Sequence, residues 1–192
     1  RLTSDLLLYA REGTREEKPF SLDAAVRSVA EIVEGSHRGK VAVDCVFEKQ
    51  GCWVAGDEQL LIQAFLNLCL NGIDAMDGRG QLRLAVRDAP DRPGAVQITV
   101  EDRGEGMPEE VLARAFEPFY TTKGPGEGTG LGLSMAYGAV TAQGGAISLQ
   151  SDPGQGTCVT VVLECIEAPG DAGGPSGAEG GDLDVSVLLV DD

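Results

Sequence analysis

Between Asp57 and Met76 the chain carries its longest helical pattern, and everything else has to be arranged around it. Leu60, Leu61, Ala64, Phe65, Leu68 and Ile73 recur at helical spacing, and Gly78 and Gly80 end the run. A helix so dense in apolar groups needs a broad apolar surface to lie on. Strands on either side of it in the sequence supply one. Val41 to Phe47 alternates as a strand, with Cys52 to Ala55 expected to pair with it. Gln81 to Arg87 and Val96 to Glu101 read as two strands joined by a Pro- and Asp-rich loop. Ala146 to Gln150 and Thr157 to Leu163 form a last pair around a turn at Asp152 to Gly156.

Shorter helices fill the gaps. Ser21 is an N-cap for a helix carrying Val26, Val29, Ala30 and Val33, and Gly35 to Lys40 reads as the turn after it. Pro108 opens a short helix to about Ala115, and another helix runs from about Gly130 to Gln143. Strands and helices mix without steady βαβ alternation, which places the ordered part in the α+β class as a two-layer sandwich.

Composition limits what such a domain can bind. Of 192 residues, 42% are hydrophobic, enough for a real core, and the formal net charge is -16. That charge repels phosphate backbones and anionic membranes, so nucleic acid and direct membrane contact are disfavoured. A small anionic ligand still fits if metal and local cations hold it, because charges are screened over ~8 Å at physiological salt. Five cysteines (Cys45, Cys52, Cys69, Cys158, Cys165) form no CxxC pair and meet a single histidine. A zinc site is therefore disfavoured, and reduced, packed thiols in a cytoplasmic protein are expected. No apolar run reaches 18 residues, and no signal peptide is visible. The first residue is not methionine, so the chain is read as a piece of a longer protein, with a membrane anchor in the parent left open.

Four polar segments interrupt the pattern. Asn67 and Asn71 lie four apart on the long helix and share a face, with Asp74 and Ala75 one turn further. Asn71 has a neutral oxygen suited to magnesium whose other ligands are phosphates and water. Alone, such a pair of amides more often bonds a neighbouring loop. Asp102-Arg103-Gly104-Glu105-Gly106-Met107 follows a strand directly. There a carboxylate can accept from the 6-amino group of adenine, while guanine places a carbonyl at that position. Gly104 and Gly106 let the backbone approach the base, and Met107 can cover the ring. Phe116 to Lys123 is aromatic without periodicity, so Phe116 and Phe119 read as packed anchors. Thr121, Thr122 and Lys123 then fall where polar groups meet phosphates. Gly128-Thr129-Gly130-Leu131-Gly132-Leu133 opens a helix, whose free N–H groups suit phosphate, and Gly124 and Gly126 add the character of a mobile lid. No Rossmann strand precedes these glycines, which disfavours a dinucleotide fingerprint.

Taken in order, these segments resemble the ATP-binding domain of sensor histidine kinases. NLCLNGIDAM is similar to the asparagine box, DRGEGMP to the first glycine box, FEPFYTTK to the phenylalanine box and GTGLGLS to the second glycine box, with GQGT as the last element. The resemblance covers roughly Pro19 to Ile166. It implies the Bergerat fold: a mixed, mostly antiparallel sheet with helices on one face and ATP between them. It implies magnesium at Asn71, adenine at Asp102, phosphates at Lys123 and the Gly130 to Leu133 turn, and an adenine-side hydroxyl at Thr157. Lys123 would stabilise charge on the phosphate during transfer.

Gly72 departs from the pattern, which usually has alanine after the asparagine. Asn67 stands where ATP-hydrolysing relatives such as DNA gyrase carry a glutamate base. An amide takes no proton from water, so the site reads as one that holds ATP for transfer. An ATP hydrolase of the same superfamily and a serine kinase of anti-sigma type remain the alternatives.

The same resemblance divides the chain. Residues 1–17, with LTSDLLLYAR, resemble the end of a dimerisation and phosphoacceptor helical domain; 18–166 are the catalytic domain; 167–184 are a Gly-, Pro- and Ala-rich linker. Residues 185–192, VSVLLVDD, resemble the opening strand and acidic pair of a receiver domain. The implied partners are the protein's own dimerisation domain and a response-regulator receiver, which the resemblance at 185–192 implies is fused after the linker. His37, the single histidine, lacks the acidic neighbour of an acceptor, so the acceptor histidine is expected elsewhere.

Overall fold

Ser21 begins the first helix as its sequence predicts: its hydroxyl accepts from the Ala24 N–H at 3.4 Å. The computed structural model describes residues 18–37, 39–124 and 128–169. The dimerisation-helix, most linker and receiver-like readings lie outside the described residues. Within them the order is β1 (Lys18–Ser21), α1 (Leu22–Ser36), β2 (Val41–Phe47), β3 (Trp53–Gly56), α2 (Glu58–Ala75), β4 (Gly80–Asp88), β5 (Ala95–Glu101), α3 (Glu109–Leu112), α4 (Gly132–Thr141), β6 (Ala146–Asp152) and β7 (Gly156–Glu164).

The main sheet has five strands in the order β2-β4-β5-β7-β6. Only β2 and β4 run parallel; the other pairings are antiparallel. The long helix α2 lies between β3 and β4 in the chain and so separates the two strands of the parallel pair, β2 and β4. One face of the sheet is a continuous apolar field: Leu82, Leu84 and Val86 of β4, Val96, Ile98 and Val100 of β5, and Val159, Val161 and Leu163 of β7 are all buried. The helices α1, α2 and α4 lie over it, putting Leu22, Val26, Val29, Phe65, Leu68, Ala136 and Val140 into one core. Removing the fully buried Phe65 ring would cost ~3–5 kcal/mol. The opposite face is largely polar, with Arg83 between Asp44 and Glu101 across the register. The mixed sheet with helices on one face is the architecture expected.

Three local expectations change. The strand at Trp53–Gly56 pairs with β1, not with β2, because Phe20 and Val54 bury together where α1 leaves the sheet edge. The short helix after Pro108 stops at Leu112 and continues only as turns to Ala115. The cysteines are not all reduced: Cys52 and Cys165 form a disulfide, with Cα atoms 6.0 Å apart across 113 residues. The fold itself places them together, because Ile166 bonds back to Trp53 and Cys165 to Gly94. Cys45, Cys69 and Cys158 are free. Burial raises all three thiols, Cys69 up to about 12, so they stay protonated and unreactive near neutrality.

No helix among the described residues is long and apolar enough to cross a membrane.

Candidate functional site

The four polar segments meet at one end of the α2–α4 layer. Asp57 caps α2 by accepting from Leu60 N–H at 3.1 Å, and the helix runs unbroken to Ala75. That length carries Asn67, Asn71 and Asp74 to the open end of the sheet. Asn67 Oδ1 accepts from Gln63 Nε2 at 3.2 Å, which fixes its amide along the helix surface. The Nδ2 of Asn71 is buried without a partner, next to Gly132 at the start of α4. A buried amide left unpaired costs free energy, and such a group commonly awaits a ligand.

Asp102 sits one residue beyond β5. Its Oδ1 accepts from the N–H groups of Gly104 at 2.8 Å and Thr157 at 3.2 Å, while Oδ2 has no hydrogen bond among the described residues. Burial raises the carboxyl above its ordinary value, and the two N–H groups partly offset this. One oxygen is thus fixed by the backbone and the other is left to accept from a ligand.

The loop after Asp102 docks onto the helix end and the β6–β7 turn. Glu105 N–H donates to Ala75 carbonyl at 3.0 Å, and Gly104 packs against the same carbonyl. Gly106 has φ 67°, and a Cβ there would stand 2.0 Å from the Asp152 carbonyl, so no other residue fits. Ser151 was not legible as a site residue. Its hydroxyl accepts from Met107 N–H at 2.9 Å, donates to Gly156 carbonyl at 2.8 Å, and lies 3.0 Å from the Thr157 hydroxyl. It thereby holds the Met107 backbone and Thr157 together. A serine ending an alternating strand gives no signal of this; only the register does.

The aromatic segment behaves differently at its two rings. Phe116 is an anchor as expected, stacked 5.1 Å from Tyr137 on α4. Phe119 is not: its side chain is 65% exposed and its φ is 67°. The backbone is what is held there, because Phe119 N–H donates to Gly130 carbonyl at 2.9 Å. A Cβ on Gly130 would lie 2.4 Å from the Phe119 carbonyl carbon, so this clasp requires glycine. Gly128 packs on Thr121 and Lys123, Leu131 N–H reaches the Thr129 hydroxyl at 3.4 Å, and Leu133 packs on the core. Thr121 Oγ1 accepts from Lys123 N–H, Thr122 is exposed, and Lys123 Nζ pairs with Asp74 Oδ2. Lys123 therefore faces the expected phosphate end, but from a carboxylate partner.

The family comparison decides how to read this cradle. Residues 56–166 match the histidine kinase-, DNA gyrase B-, and HSP90-like ATPase family.

The chain belongs to that family.

Among its ATPase-family relatives, the two-component sensor PprA of Pseudomonas aeruginosa is 36% identical over 91% of this chain and 19% of its own length. Sporulation kinase A of Bacillus subtilis is 31% identical over 83% of this chain and 26% of its own. The chain thus spans about a fifth to a quarter of these relatives. Among solved structures, full-length ShkA in complex with AMPPNP superposes with a TM-score of 0.71 at 26% identity, over 87% of this chain and 36% of that one. The catalytic domain of histidine kinase ThkA does so with a TM-score of 0.67 at 26% identity, over 78% of this chain and 95% of that one.

Proposed function

We propose that the chain is the ATP-binding catalytic unit of a two-component sensor histidine kinase, which presents the γ-phosphoryl group of ATP to a histidine on a dimerisation domain. The observation that carries this is the Asp102 carboxylate, with Oδ1 tied to two backbone N–H groups and Oδ2 unbonded at the mouth of a glycine-rich cradle. Its free oxygen accepts from the adenine amine, and Gly104, Gly106, Met107 and Thr157 frame the base. Lys123, Thr121, Thr122 and the Gly130 to Leu133 start of α4 face the phosphates. Relatives named as a two-component sensor and as a sensor histidine kinase, each matched along most of this chain, support the reading.

Magnesium fits these residues. Asn71 carries a neutral side-chain oxygen of the kind magnesium takes, while its unpaired buried atom is the Nδ2 donor beside the start of α4, which is no ligand for a cation. Asn71 would hold the ion together with the phosphates, and the ion would neutralise charge on them. Asp74 is within reach of the same region through its contact with Lys123.

Asn67 is the reason to prefer transfer over hydrolysis. Its oxygen is occupied by Gln63, and a neutral amide cannot activate water. His37 is not the acceptor in this reading: it caps α1, with both its N–H and its ring Nδ1 on the Val33 carbonyl. The acceptor is assigned to a dimerisation domain that residues 1–17 resemble, and a response-regulator receiver, of which residues 185–192 resemble the start, would take the phosphoryl group next. Residues 18–166 form the catalytic domain in this reading.

The test is phosphorylation of the full-length protein with γ-labelled ATP. Label that is lost in acid and kept in base identifies phosphohistidine. Steady phosphate release into solution with no protein-bound label would contradict a kinase and favour a hydrolase.

A further inference from the structure

We infer that Ser151 is a positioning residue for nucleobase recognition: it takes the hydroxyl proton of Thr157, so that Thr157 offers the base only an acceptor. This rests on the reading of Asp102 and Thr157 as the adenine side of the cradle. Ser151 and Thr157 are partners in the β6–β7 register, and Asp102 N–H donates to the Thr157 carbonyl at 2.9 Å. Alternation along β7 puts Thr157 on the face that carries the buried Val159 and Val161. Its cross-strand partner Ser151 shares that face.

A hydroxyl has one proton and two lone pairs. Ser151 Oγ has three contacts to serve with them. Met107 N–H, at 2.9 Å, can only donate and takes one lone pair. The Gly156 carbonyl, at 2.8 Å, can only accept and takes the proton. The second lone pair remains for the Thr157 hydroxyl at 3.0 Å, so Thr157 is the donor. The reverse assignment would leave the oxygens of Ser151 and Gly156 2.8 Å apart with no proton between them, which is repulsive. Thr157 has then spent its single proton, and a ligand meets its lone pairs. Asp102 Oδ2 is an acceptor too, with no hydrogen bond among the described residues. The exocyclic amine of adenine brings two donors to this side, and the carbonyl that replaces it in hypoxanthine brings none. Ser151 thus sharpens the choice of an aminopurine by fixing the hydrogen-bond polarity of its neighbour.

Calorimetric titration with MgATP and with magnesium inosine triphosphate, which has a carbonyl in place of the amine, would be run on wild type, Ser151→Ala, Thr157→Val, their double variant, Asp102→Asn and Ser148→Ala. Ser148 is exposed on the same strand three residues away, and its variant should change neither affinity. Ser151→Ala should weaken MgATP about 3- to 10-fold and leave the inosine nucleotide unweakened, because the freed Thr157 proton can turn to a carbonyl. Equal weakening of both nucleotides is what a merely structural serine would give, and it overturns the inference, as does unchanged MgATP affinity. Thr157→Val should reduce the preference for ATP in the same way, and the double variant should reduce it no further than either single change, because both act through one hydroxyl. Additive losses overturn the proposal. If Ser151→Ala does not fold, as read by circular dichroism, Thr157→Val decides alone: weakening of MgATP only supports the acceptor role, and equal weakening of both nucleotides overturns it. If Asp102→Asn binds MgATP as wild type does, the adenine assignment itself has failed; if it weakens and the ATP preference survives in Ser151→Ala, only the role of Ser151 has.

Discussion

The ammonium group of Lys123 rests on the Asp74 carboxylate, so the end of the aromatic segment is pinned to the last turn of α2. The sequence places Lys123 near phosphate and Asp74 one turn beyond Asn71; the structure joins them to each other. Both side chains are more than a third exposed, so the pair contributes only ~0–1 kcal/mol and yields readily to a better anion. Lys123→Ala is expected to lower autophosphorylation of the full-length protein by about tenfold or more, because a cation on the transferring group is lost. The melting temperature should stay within ~2 °C of wild type. Rates with labelled ATP and a thermal melt check both. A fully active variant would place the phosphates away from Lys123.

Asp102→Asn tests the carboxylate. The asparagine oxygen can still accept from Gly104 and Thr157, so the loop should survive, but an amide N–H would then face the adenine amine. ATP binding should weaken tenfold or more with the fold intact, as read by calorimetry and circular dichroism.

The same carboxyl predicts a pH dependence. Its pKa is raised from 3.8 by burial, and ATP recognition needs the ionised form. Affinity should be flat around neutrality and fall as the solution is acidified through that raised value, at a higher pH than an ordinary aspartate would give. Asp102→Asn should lack this limb. The proton that binds on acidification removes an acceptor, so an affinity that rises with acid would have the wrong sign for this account.

Asn71→Ala should make ATP binding weaker and nearly the same with magnesium as with chelator present. The side-chain oxygen of Asn71 is the protein's neutral ligand in this reading, and among the described residues no group of three or more His, Cys, Asp or Glu stands ready to replace it. A magnesium dependence equal to wild type would move the ion elsewhere.

The Cys52–Cys165 pair closes a loop of 113 residues between the edge of β3 and the chain leaving β7. Cross-links of that span restrict the unfolded chain by ~4–5 kcal/mol in the entropy model. Reductant, or Cys52→Ser with Cys165→Ser, should therefore lower the melting temperature by roughly 10 °C. Trp53, adjacent to Cys52 and the only tryptophan, gives a fluorescence readout of the same step. Equal melting with and without reductant would mean that the pair contributes nothing.

Much of the fold could be read in advance because it follows from local signals. Ser21 and Asp57 cap their helices, and alternation in Val96–Glu101 and Thr157–Leu163 sets which side chains enter the core. The candidate residues that the structure brings together were legible as exceptions to pattern: Asn71 is an amide within an apolar helix, and Asp102 and Gly130 stand just outside regular elements, where a polar or conformationally free residue needs an explanation. What failed depended on long-range register. β3 turns to β1 instead of β2, Cys52 meets Cys165 only because Ile166 returns to Trp53, and Ser151 matters only because Met107 and Thr157 are brought to it. Phe119 misled because its residue type suggests burial, while its left-handed backbone turns the ring outward.

The most direct test is a crystal structure of the chain with magnesium and a non-hydrolysable ATP analogue. The account predicts the exocyclic amine of adenine at about 2.7–3.2 Å from Asp102 Oδ2, with the triphosphate running towards Asn71, Lys123 and the start of α4. A base bound away from Asp102, or phosphates directed to another part of the sheet, would contradict it.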